Sequence, residues 1–200
     1  MNDRITPFFQ SQLSLPSRIL MVAVAAALLP AIFAPIWRIT LHAPQYPEGL
    51  SVHIYSHTVK GDVQEVNELN HYIGMKPIRA EDFGEFRFVP FFILRFFAFA
   101  ALAALVARIP VAAIGYIDFL VFGAVMLVDF QQWLSDYGMQ LDPKAPIHLD
   151  PFQPKFLGTT EVGQFHVTSY PDWGAIVMFL AGLAGPAILA YEWWRRRAEA

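Results

Sequence analysis

Four stretches of mostly apolar residues, each close to the ~20 that a helix needs to cross a bilayer, constrain this chain more than anything else in it. They cover residues 19–37, 88–106, 111–133 and 173–194. Only residues 107–110 separate the middle two, so 88–133 reads as a hairpin of antiparallel helices. The composition agrees: 56% of residues are hydrophobic and 16% charged, against roughly 45–50% and about 25% in soluble domains. The fold class that follows is an all-α integral membrane protein, with four transmembrane helices under a small mixed extracytoplasmic cap.

Several function classes drop out. There is no cysteine, which excludes disulfides, thiolate metal sites and thiol catalysis. A net charge of -3 offers no basic field for nucleic acid. No nucleophile–base spacing, phosphate loop or HExxH pattern is present, so the chain is not read as an enzyme. No histidine falls inside an apolar stretch, which excludes bis-histidine haem within the bundle.

Lysine and arginine near helix ends set orientation. Arg4 and Arg18 precede the first stretch, Arg108 sits in the hairpin, and Arg195, Arg196 and Arg197 follow the fourth. With four spans these fall on one side. Residues 1–18 and the basic tail 195–200 are then cytoplasmic, and both termini lie inside a bacterial inner membrane. Residues 38–87 and 134–172 lie outside, in the periplasm. Stretch 19–37 could instead be a signal peptide, with Ala31-Ile32-Phe33-Ala34 at the cut. Pro35 after the cut and the long leader favour retention.

The outer segments have some local pattern. Residues 50–59 alternate in part, and Lys60-Gly61-Asp62 supplies a turn. Val63, Val66 and Leu69 recur at spacings of three, so residues 62–72 read as a helix that Gly74 ends. Residues 164–170 read as extended. Each segment alone is too short to build much of a core, so the two should pack together.

All six histidines lie in these segments, but histidine avoids lipid-facing helices in any case. His71 and Met75 are four apart, on one face if the helix continues. Imidazole with thioether suits Cu(I); the alternative is a capped helix end with Met75 as packing. His53 and His57 are also four apart, but on a strand that is about 13 Å, too far to share an ion. His42 stands in a loop made rigid by Pro44, Pro47 and Gly49, which could hold a ligand or only seat the chain. Asp129, Gln132 and Asp136 share a helix face, and Asp142 follows. These acids could join a metal shell or merely cap the helix and bond the loop.

Within the spans, Arg95 needs a partner. Counted from the outer surface, Asp129 lies on its outward side and Asp118 on its inward side. Arginine snorkels outward, so an Arg95–Asp129 ion pair is expected. A proton path through Arg95 and both acids is the alternative, though the chain lacks the internal repeats common in transporters.

Residues 42–50, 70–75 (Asn70-His71-Tyr72-Ile73-Gly74-Met75) and 136–147 (opening Asp136-Tyr137-Gly138-Met139-Gln140-Leu141-Asp142) together carry a resemblance. The chain resembles a family of bacterial four-helix membrane proteins associated with gene neighbourhoods for nitrous oxide reductase maturation and related copper respiration. The likeness spans most of the chain outside the first 17 residues. It implies copper handling or respiratory assembly outside the cytoplasm. The metal candidates it implies are His42, His71 and Met75, with Asp136 and Asp142 behind them.

Two functions are therefore expected from different classes. One is an accessory membrane protein whose cap binds or passes copper for respiratory enzyme maturation. The other is a structural subunit of a larger respiratory or photosynthetic membrane complex. In the second, faces such as Phe88, Phe91, Phe92 and Phe96 pack on partner helices or pigments. The small-residue face of Ala181, Gly182, Ala184 and Gly185 would allow close helix contact. The partners in either case are the lipid bilayer and other membrane subunits.

Overall fold

The structure is a computed structural model that describes residues 5–198; Arg4, one of the charges used for orientation, lies outside them. Six α-helices and five strands are present among the described residues: α1 Ile5–Gln10, α2 Leu15–Ala31, β1 Trp37–Ala43, β2 Tyr46–Ile54, β3 Val59–Gly61, α3 Val63–Ile73, α4 Val89–Val106, α5 Ile109–Met139, β4 Gly158–Val162, β5 Phe165–Pro171 and α6 Trp173–Ala198. Two 3₁₀ turns, Ala80–Asp82 and Gly84–Arg87, lead into α4.

The expected all-α class is thus corrected to a mixed α/β fold, and among the described residues three helices, not the expected four, are candidate membrane spans. Helices α4, α5 and α6 are long and apolar enough to cross a membrane. The first apolar stretch is not a span of its expected length. Its helix stops at Ala31 after 17 residues, with Pro30 inside its last turn. Pro35 forbids a restart, because the residue before a proline is pushed out of the helical region. From Trp37 the period changes to two. Trp37, Leu41 and Ala43 are buried, and Arg38 between them is exposed. That is strand alternation hidden at the end of an apolar run.

Helix α2 packs against α4 and α6, α4 packs against α5, and α5 against α6. Small side chains bring α2 and α4 close: Ala25, Ala100, Ala103 and Ala104 are all buried with Met21. Toward the sheet the core turns aromatic. Phe92 stacks on Phe122 at 4.2 Å between centroids, and Phe96 meets Phe119 edge-on at 5.1 Å. The α4–α5 turn carries Ala107 at φ +53°, and its carbonyl accepts the Leu13 N–H at 2.7 Å.

The strands form one antiparallel sheet in the order β3-β2-β1-β5-β4. β1 is central, so the two outer segments are one folded unit. The β1–β5 register runs from Trp37 opposite Pro171 to His42 opposite His166. Trp37 follows α2 and Pro171 precedes α6, so the sheet grows directly out of two adjacent helix ends. The junction is hydrogen-bonded: Asp172 N–H donates to Ile36 O at 2.9 Å and Gly174 N–H to Pro35 O at 2.8 Å. Asp172 also caps α6, its Oδ1 accepting from Trp173 N–H at 2.8 Å, while Oδ2 lies 3.1 Å from His53 Nδ1. Lys60 and Gly61, expected as a turn, complete β3 instead, and Gly61 takes φ +99° against β2.

Candidate functional site

Arg95 and Asp118 meet in the middle of the apolar bundle. Arg95 Nη2 donates to Asp118 Oδ1 at 2.6 Å. The expected partner Asp129 is not the one used. The physical reason is the unequal length of the hairpin arms. α4 has 18 residues and α5 has 31, so counting inward from the outer ends misaligns them. Counted from the turn at Ala107, Arg95 is twelve residues before and Asp118 eleven after. Antiparallel arms put such residues side by side.

This pair is incompletely satisfied. Nε of Arg95 and Oδ2 of Asp118 are buried without a hydrogen-bond partner among the described residues. The guanidinium lies 4.2 Å from the centroid of the Phe92 ring, a cation–π contact. The Arg95 side chain nevertheless keeps 34% of its surface exposed, and that of Asp118 26%. Around it stand exposed apolar side chains: Phe91 and Leu94 on α4, Ile114, Ile117 and Val121 on α5.

A second polar cluster lies at the opposite end from the sheet. Glu192 of α6 is fully buried. Its Oε1 accepts from Ser14 N–H at 2.7 Å, Ser14 Oγ at 2.5 Å and Ser17 Oγ at 2.6 Å, and its Oε2 accepts from Arg196 at 2.5 Å. Arg108 donates to Gln10 O and Arg196 to Gln12 O, so the basic residues gather at this end. Sequence reasoning passed over Glu192; a lone acid among apolar residues four positions before Arg196 was the available signal.

The expected copper ligands do not converge. Gly74 adopts φ +78° and ends α3, so Met75 leaves the helical face it was to share with His71. His71 is exposed beside Asn67 and Glu68 on the outer side of α3, while Met75 lines an internal cavity. His42 is on strand β1 rather than in a loop, and its ring rests over Gly49, where a Cβ would come within 2.8 Å of Nε2. Asp136 accepts from Gln140 Nε2 at 2.9 Å, and Asp142 closes a turn by accepting from Lys144 N–H at 2.9 Å. Among the described residues, no group of three His, Cys, Asp or Glu side chains is arranged to hold a metal ion.

The small-residue face of α6 is occupied within the chain. A Cβ at Gly182 would meet Phe119 at 2.8 Å, and one at Gly185 would collide with Tyr116. Both aromatics belong to α5, so this face serves the α5–α6 contact.

No protein-family model matches the chain, and no curated protein matches it.

Proposed function

We propose that this chain is an accessory subunit of a larger membrane assembly, with the outer face of α4 and α5 packed on a partner's helix. The observation that carries this reading is the Arg95–Asp118 pair. It lies eleven to twelve residues from the α4–α5 turn, a third to a quarter exposed, among side chains suited to hydrocarbon. Ionisable groups at that depth are costly against lipid and ordinarily face protein or water. A partner helix carrying an amide or hydroxyl side chain would cover the exposed part of the pair, while the unpartnered Nε and Oδ2 face the interior of the chain. In this reading the basic end, with Arg18, Arg108 and Arg195–Arg197, faces the cytoplasm of a bacterial inner membrane and the sheet faces the periplasm. Of the phenylalanines expected on a partner face, Phe92 and Phe96 pack inside against Phe122 and Phe119, and Phe88 and Phe91 remain exposed for a partner in a respiratory or photosynthetic complex.

The test is isolation from native membranes in mild detergent, with size exclusion and mass spectrometry on one peak. Co-elution with other membrane subunits is expected. A stable monomer without companions refutes the proposal.

Copper handling for respiratory enzyme maturation is the second reading, and one observation favours it. His42 and His166 are direct neighbours across β1 and β5, and Glu161 Oε1 lies 3.8 Å from His166 Nδ1. Copper that remains bound to the purified chain after dialysis would support it; a metal-free protein after copper loading counts against it.

A further inference from the structure

The sheet, α3 and the last turns of α5 line a partly open cavity that neither reading uses. Its volume is about 120 Å³. One wall is the inner face of the sheet, including Val52 and Val167; the facing wall is Phe130, Trp133 and Leu134 of α5. Besides the indole of Trp133, three polar side chains line it, and each has a hydrogen-bonding atom engaged with the chain. Asn70 Nδ2 donates to Lys76 O at 3.3 Å, Tyr137 OH donates to Pro77 O at 3.2 Å, and Thr160 Oγ1 accepts from Lys155 N–H at 2.8 Å. A water inside would find too few partners, and apolar cavities of this kind stay dry and accept apolar guests. A dry cavity of about 150 Å³ holds benzene, so this one holds a guest of about five or six carbons. Met75 in the wall adds a flexible thioether that adapts to such a guest.

The position of the cavity names the source. Helix α5 has 31 residues, about 46 Å at 1.5 Å per residue. The hydrocarbon core of a bilayer is only about 30 Å thick. The last three turns of α5 therefore stand beyond the hydrocarbon edge, and they are the wall of the cavity. The bilayer is the nearest store of apolar molecules.

We propose that this cavity is a binding site for the end of a hydrocarbon chain belonging to a membrane lipid. The inference rests on α5 spanning the bilayer and not on a partner subunit or a metal. The chain end leaves the bilayer beside α5 and lies between Trp133 and Val167, shielded from water by the sheet. No covalent step is involved.

The experiment reconstitutes the full chain in phosphatidylcholine vesicles whose lipid carries a diazirine on the terminal carbon of one chain. After irradiation, adducts are mapped by mass spectrometry. Adducts on outward residues of the spans, such as Val125 and Phe179, report chain ends that stay in the bilayer. Adducts on Met75, Trp133 and Val167 are the expected sign of an occupied cavity. Val167→Phe, which fills the cavity, should abolish these and leave the span adducts unchanged. If that variant fails to assemble, Val52→Ile fills it by one methylene and should lower them. Trp173 is an exposed tryptophan at the same end of the bundle. Labelling of Trp133 no stronger than that of Trp173, with adducts otherwise confined to the spans, overturns the proposal.

Discussion

Arg95 on α4 and Asp118 on α5 form a 2.6 Å ion pair at mid-span, level with each other because they are nearly equidistant from the turn at Ala107. Removing one partner leaves a charge in apolar surroundings, which is strongly destabilising, whereas removing both is often neutral. Asp118→Ala should therefore lower stability by about 3 kcal/mol, near the lower end for buried pairs since both groups keep some exposure. The double variant Arg95→Leu with Asp118→Leu should regain most of it, read as thermal unfolding in detergent. The same double variant should lose its companions on size exclusion, because the polar groups offered to a partner helix are gone. Full retention of those companions would sink the accessory-subunit reading.

The pairing also marks how far the sequence could be read. Apolar length identified α4, α5 and α6, and the short hairpin turn fixed the antiparallel order of α4 and α5. Length could not align the two arms, because α5 continues through Gln131, Gln132, Ser135 and Asp136 well past the level of the start of α4, serving the sheet rather than lipid. The first stretch failed for the complementary reason. Trp37, Ile39 and Leu41 are as apolar as a helix would be, and only the period of two distinguishes a strand. The β1–β5 pairing, across more than a hundred residues, has no local signal at all. The helix at α3 and its end at Gly74 were legible, yet that left-handed glycine also separates His71 from Met75, a consequence of φ that spacing alone does not carry.

Glu192 ties the start of α2 to the end of α6 through Ser14, Ser17 and Arg196. Glu192→Ala removes every one of these bonds and leaves Arg196 without its carboxylate. A loss of about 3 kcal/mol is expected, within the range for breaking a buried ion pair. Glu192→Gln keeps an acceptor for the serines and should lose less, about 1–2 kcal/mol. Thermal unfolding separates the two variants, and limited proteolysis near Gln12 should report earlier opening in the alanine variant. Equal effects from both would mean that the charge, and not the hydrogen-bond network, holds this end together.

Gly185 faces Tyr116 with no room for a Cβ. Gly185→Val overfills the α5–α6 contact and should destabilise by about 1–3 kcal/mol. Tyr116→Ala in the same chain opens space and should restore part of the loss, giving a coupling energy in a double-mutant cycle. If Gly185→Val left stability unchanged but disrupted association with other subunits, the small-residue face would instead belong to an external contact.

Copper binding, if the chain has it, should follow the sheet and not α3. His71 and Met75 lie on different surfaces, so His71→Ala with Met75→Ala should leave a Cu(II) titration unchanged. His42 and His166 are cross-strand neighbours, with Cβ atoms about 4.5–5.5 Å apart in such pairs. Two imidazoles at that spacing can share one ion once the His42 ring turns away from Gly49. His42→Ala with His166→Ala should weaken Cu(II) binding about tenfold or more, which is about 1.4 kcal/mol. Electron paramagnetic resonance adds a readout that folding alone does not move, since nitrogen couplings from two imidazoles should fall to those of background sites. Loss of copper in the His71/Met75 variant, with retention in the His42/His166 variant, would return the ligand role to α3 and require Gly74 to adopt a different backbone in the metal-bound chain.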